Sequence, residues 1–152
     1  MKSTRVPAGW RLVPLASVAQ IQTGLALGKR PSIHPVCLPY LRVANVQDGF
    51  LDLSTIKEVE VERAHVSRYL LRPGDVLMTE GGDSVKLGRG YIWQGEIPNC
   101  LHQNHVFVVR PHSALLSYFL VALTSSEYGR SYFQNCSKQS TNLASINSSQ
   151  LK

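Results

Sequence analysis

Charge is scarce in this 152-residue chain: only 17% of it is Asp, Glu, Lys or Arg, against about a quarter in an ordinary globular protein. A long coiled coil and an acidic disordered tail are therefore excluded. Cysteine is scarce too. Cys37, Cys100 and Cys136 are odd in number and far apart, so no disulfide framework is encoded. The longest apolar stretch, Leu115 to Leu123, has nine residues and is broken by Ser117, well short of the roughly 20 that a membrane-spanning helix needs. The opening residues MKSTRVPAGW contain no apolar core of the kind a secretory signal carries. These absences predict one cytoplasmic domain with no membrane, metal or other cofactor requirement.

Apolar residues are plentiful, at 43%, and a chain of this length can bury ~70% of its unfolded surface. The formal charge is +6 and the pI about 9.5, which points to a polyanionic partner. The signs are segregated. Lys2, Arg5, Arg11, Lys29, Arg30 and Arg42 all precede the first acid, Asp48. Residues 48–62 then hold five acids against Lys57 alone, and from Ser84 onwards six basic residues face two acidic ones. If segments 24–45 and 84–105 lie side by side, they make a positive face from which 48–62 turns away. That arrangement suits phosphate.

Local patterns predict short strands first and helices last. Pro14 to Ala19 reads as a helical turn with Leu15, Val18 and Ala19 on one face, and Ile21 to Gly24 as a brief extended piece. Residues 24–36, with two Gly and two Pro, read as a loop. Cys37 to Val43 and Phe50 to Leu53 are strand candidates, and Lys57 to Glu62 alternates as a half-buried strand with an acidic outer face. Arg63 to Leu71 looks helical. Pro73-Gly74 has the order of a type II turn, leading into the buried strand Asp75 to Thr79. After the glycine-rich loop 80–90 come strands Gly90 to Trp93 and His105 to Val109. Ser113 can cap a helix running to Leu123, and Ser125 or Ser126 a second across Tyr128 to Tyr132. Strands then helices, without βαβ alternation, predict an α+β fold.

Three motifs carry possible chemistry. The loop Glu80-Gly-Gly-Asp-Ser-Val-Lys-Leu-Gly-Arg-Gly lacks the Gly-Lys-Ser/Thr of a P-loop and the third glycine of a dinucleotide fingerprint. Its glycines beside Lys86 and Arg89 still allow close approach to an anion. Cys100-x-His102-x-x-His105 resembles metal-ligand spacing or a Cys–His nucleophile pair, the basis of an alternative reading as a small enzyme. No CxxC partner accompanies it, and strand alternation would put 100 and 102 on one face and 105 on the other. Gln103-Asn104 offers two amides of the kind that pair bidentately with adenine.

Several of these segments together resemble the target recognition domain of a type I restriction–modification specificity subunit. They are Gly9-Trp10 with LASVAQIQTG, then PYLRVANV, LRPGDVL, TEGGD, LGRG, HQNHVF and the closing SKQSTNLASINSSQL, collinear over residues 9–151. The resemblance implies a compact α+β globule with a curled mixed β-sheet, DNA-facing loops and C-terminal helices. It implies no catalysis and no cofactor. Its implied partners are double-stranded DNA, of which one domain reads half of a bipartite site, and the methyltransferase and restriction subunits it directs there. The DNA-facing candidates carried over are Lys29, Arg30, Arg42, Asn45, Lys86, Arg89, Gln103, Asn104, Lys138 and Gln139. The paired spacer helices of a full subunit are not found in residues 1–152, so a single domain that is excised, or a half-length subunit that self-associates, is expected. A module that docks partner proteins and not DNA is the other alternative.

Overall fold

The most apolar segments become the two central strands of the largest sheet. The computed structural model describes residues 6–28, 34–82, 87–88, 90–140 and 143–152, the side chains of 139, 140 and 143 excepted. Strands β1 (Ala19–Gln22), β4 (Val76–Thr79), β6 (Gly90–Ile92) and β8 (Val106–Pro111) pair antiparallel in the order β1-β8-β4-β6. All four residues of β4 and the first four of β8 are buried, as expected of strands covered on both faces. Side chains alternate between two cores. Val76, Met78, Phe107 and Val109 face one, with Leu120, Phe133, Ile146 and Leu151. Leu77, Val106 and Val108 face the other, with Leu41, Leu71, Trp93 and Cys100. Each buried aliphatic or aromatic side chain contributes ~1.5–3 kcal/mol.

Helices α2 (Ser117–Ser125) and α3 (Glu127–Cys136) cover the first core. Ser126 caps α3, its hydroxyl accepting from the Gly129 amide. A second, mixed sheet runs β3-β2-β7. In it β2 (Pro35–Leu41) pairs antiparallel with β3 (Lys57–Glu62) and parallel with β7 (Leu101–His102). Tyr40, Val61 and Leu101 form a third cluster, with the partly buried Val66, Tyr69 and Leu70 from α1 (Val66–Tyr69) and the residue after it. A small sheet, β5-β10-β9, joins β5 (Gly81–Gly82), β10 (Leu143–Ser145) and β9 (Lys138–Ser140). The short helix α4 (Ser148–Leu151) closes the chain. The chain passes from β4 to β5 at Glu80 and from β7 to β8 through 103–105, so the sheets curl into one another. The α+β expectation with a curled mixed sheet holds.

Three local expectations are corrected. Phe50 to Leu53 is not a strand; only Leu51 bridges, to Val46. The Asn45 side chain draws this segment back onto the turn Val43–Asn45 instead. Arg63 to Leu71 is not one helix. A 3-10 turn, Arg63–His65, precedes the four-residue α1, and Leu70 turns extended to bridge Leu101. Ser113 caps nothing: α2 starts at Ser117, whose hydroxyl donates to the Gly74 carbonyl at 2.6 Å and ties the helix to the Pro73-Gly74 turn. That turn is as expected, with Gly74 at φ 93° and the Asp75 amide donating to Arg72.

Candidate nucleic-acid interface

The chemistry-bearing loops issue from one corner, where β7 turns into β8. The turn 103–105 is closed by the Val106 amide donating to the Gln103 carbonyl at 2.9 Å. Against it lies the start of the loop that follows β1. The Leu25 amide donates to the His102 carbonyl at 2.8 Å, and the Asn104 amide to the Leu25 carbonyl at 3.0 Å. Gly24 makes this approach possible. A Cβ there would sit 2.3 Å from the His102 carbonyl oxygen and 2.4 Å from that of Gln103, both backbone atoms.

Glu80 brings two further segments to the same corner. Its amide donates to the His105 carbonyl at 3.0 Å, and its carbonyl accepts from Ile146 at 2.8 Å. Its carboxylate takes a 2.6 Å hydrogen bond from His105 Nδ1. Beyond it, Gly81 and Gly82 pair with Ser145 and Ala144. The hairpin of β9 and β10, the turn 103–105 and the roots of loops 24–34 and 80–90 are therefore neighbours. The acidic strand β3 lies on the other side of β2 from β7, with Glu58 and Glu60 exposed.

Gln103 and Asn104 are half-buried at the corner, and no hydrogen bond takes up their amide side chains among the described residues. Lys138 is exposed at the start of β9 opposite Ser145. Gln139 is placed by its backbone, opposite Ala144. Lys29, Arg30, Lys86 and Arg89 lie outside the described residues. Two candidates have other work. Asn45 is 3% exposed; its Oδ1 accepts from the Arg42 amide and its Nδ2 donates to the Asp52 and Thr55 carbonyls. With its oxygen and nitrogen both engaged, the Asn45 side chain braces the 42–55 loop. Arg42 follows β2 close to the corner, but its Nη2 donates to Thr55 and its Nε is buried without a partner among the described residues. Sequence reading missed Gly24, Glu80 and His105 as organisers. A glycine after a strand was visible; a contact between residues 80 and 105 leaves no local signal.

The Cys–His cluster does not assemble. Cys100 is buried in the second core, and burial pushes its thiol up to about 12. His102 is fully buried, its Nδ1 donating to the Val106 carbonyl at 2.7 Å, and burial holds its pKa down at about 4. His105 points to solvent and Glu80. A protonated, enclosed thiol is no nucleophile, and among the described residues no three His, Cys, Asp or Glu side chains gather to hold a metal. At the other end of the β4–β8 ladder from the corner, Arg110 forks onto the buried Asp75 through Nε and Nη2, each at 2.7 Å, while the Arg72 amide donates to the same carboxylate. Among the described residues, no helix is long and apolar enough to cross a membrane.

No protein-family model matches the chain. It is 24% identical over 150 residues to the MjaX type I restriction enzyme specificity subunit of Methanocaldococcus jannaschii, covering 97% of this chain and 35% of that protein. It is 23% identical over 137 residues to the EcoKI specificity subunit of Escherichia coli K12, covering 89% and 29%. Among solved structures, a chain from a type I R-M system superposes with a TM-score of 0.62 at 22% identity, covering 99% of this chain and 34% of that one. The HsdS subunit from Thermoanaerobacter tengcongensis gives 0.51 at 20% identity, covering 89% and 30%. The chain thus spans about a third of the length of the relatives it matches. In sequence, and in fold over the same span, it is similar to type I restriction specificity subunits.

Proposed function

We propose that the chain is a sequence-specific recognition module for double-stranded DNA in a type I restriction–modification system, reading one half of a bipartite site and catalysing nothing itself. The observation that carries this reading is the convergence of Gly24–Leu25, Glu80–Gly82, the turn 103–105 and the paired strands β9 and β10 on one corner, with acidic β3 across the sheet from it. Duplex DNA is a wide polyanion, and reading it needs cations for the phosphates and amides or guanidiniums for the base edges. Those residue types fall in these segments: Lys29 and Arg30, Lys86 and Arg89, Gln103 and Asn104, Lys138 and Gln139. Lysine suits phosphate as a mobile point charge, whereas arginine can fork onto guanine.

Directing methyltransferase and restriction subunits to the site is the second part of the proposal. It is supported by the relatives' place in type I systems. It is also supported by an apolar face on the α2 region, where Leu116, Tyr118 and Phe119 are exposed and Trp10 lies tilted against Phe119 with ring centroids 5.5 Å apart. Exposed patches of this kind mark protein contacts.

Fluorescence anisotropy of a labelled duplex over a salt series tests the DNA reading. With about five phosphates neutralised, log K should fall against log salt with a slope of about −4.5. A flat response, or no binding at low salt, would overturn it.

A further inference from the structure

We propose that Glu80 and His105 are a positioning pair that holds the reading loops in register, so that discrimination between DNA sequences depends on it. The proposal rests on the DNA-recognition reading above.

The ladder between β4 and β8 ends at the pair Thr79↔Val106. Glu80 and His105 stand one step beyond it, joined by a single further backbone hydrogen bond from the Glu80 amide to the His105 carbonyl. Both loops of interest issue from this open end. Residue 80 leads into the glycine-rich loop, and residue 105 closes the turn against which Gly24 and Leu25 are laid. The side-chain hydrogen bond, 2.6 Å from Nδ1 to the carboxylate, closes the open end like a clamp. A carboxylate oxygen only accepts, so Nδ1 is the donor. Downstream, Gly81 and Gly82 have no side chains to fix their course, and Gly82 adopts φ 144°, a region open to glycine. Their placement is therefore set by their anchors, and Glu80 is tied to both the turn and the hairpin.

Charge argues against a direct role for Glu80. A carboxylate on a face proposed to meet phosphates is repelled by them, and Glu80 Oε2 is already taken up by His105 Nδ1. Exposure argues against a role in global stability. His105 is 53% exposed and Glu80 30%, and a side-chain pair so open to solvent adds little to the folding free energy. What remains is local geometry.

The test uses the intact chain in five forms: wild type, Glu80→Ala, His105→Ala, Glu80→Gln and His105→Asn. Gln keeps an acceptor for Nδ1, and Asn keeps a donor for the carboxylate. Each form is incubated with a library of duplexes randomised over the binding region, and the bound fraction is sequenced. Melting temperature, affinity for one fixed random duplex, and amide exchange without DNA are measured on the same samples. The Ala variants should lose about tenfold in motif enrichment, as when one base contact is lost, with melting and random-duplex affinity unchanged. Their amides near 80–82, 103–106 and 144–146 should exchange faster, and both conservative variants should restore wild-type behaviour. Ala variants that keep full enrichment would overturn the proposal alone. So would parallel loss of melting temperature, random-duplex affinity and enrichment, the mark of a merely structural pair. A wild-type chain that enriches no motif would overturn the DNA-recognition reading, and the proposal with it.

Discussion

Acidification should destabilise this chain through one buried ring. His102 is wholly enclosed, and its Nδ1 donates to the Val106 carbonyl. In the neutral ring Nε2 is then a bare acceptor, and it has no partner among the described residues. Protonating it would place an unpaired N–H and a charge inside the protein, between the attraction of Asp75 and the repulsion of Arg110. Burial dominates and holds the pKa down from 6.5 to about 4. Above pH 6.5 the ring is neutral in both folded and unfolded chains, and its contribution to stability is intact. As the pH falls below 6.5 the unfolded chain takes up a proton that the folded chain refuses until about pH 4. The loss grows across that window to about 3 kcal/mol, a large part of the ~5–15 kcal/mol that holds a domain folded. Urea unfolding at neutral pH and near pH 4 measures it, with His102→Leu as reference, because carboxylate effects are shared by the two proteins. Wild type should lose about 3 kcal/mol more than the variant over the window. Equal losses would refute the reasoning.

Other perturbations probe the framework of the corner and the two cores. Gly24→Ala sets a Cβ against two backbone carbonyls and should destabilise by ~1–3 kcal/mol in thermal melts, as overpacking does. Arg110→Met strands the buried Asp75 carboxylate and should lower the urea-unfolding free energy by ~3–5 kcal/mol. In thiol titration of the folded chain, exposed Cys37 should react while buried Cys100 waits for denaturant. Above pH 9 stability should also fall, because the unfolded Cys100 thiol ionises near 9 and the folded one only near 12.

Much of the fold was legible because its signals are local. The β-branched alternation of 57–62, the apolar runs at 76–79 and 106–109, and Pro73-Gly74 each encode their structure within a few residues. The Ser126 cap does the same. What could not be read depends on contacts distant in sequence. Leu70 leaves its helix because Leu101 offers a bridge 31 positions away, and α2 starts late because Ser117 finds the Gly74 carbonyl. The polar stretch 138–145 carries no strand signal of its own; β10 pairs with Gly81–Gly82 as well as with β9. For the interface, sequence composition picked out the segments but not the state of each side chain. Asn45 has the chemistry of a base reader, and only its three hydrogen bonds reveal a loop brace. Gln103 and Asn104, equally plain in the sequence, stand at the corner with no hydrogen bond to their amides among the described residues.

Crosslinking to a photoreactive duplex, with the joined peptides mapped by mass spectrometry, tests most directly whether this corner is the DNA face. Crosslinks should fall within residues 24–36, 80–90, 102–105 and 138–145, and competing unlabelled duplex should abolish them. Crosslinks concentrated on β3 at 57–62 or on the helices at 117–136, with the corner untouched, would contradict it.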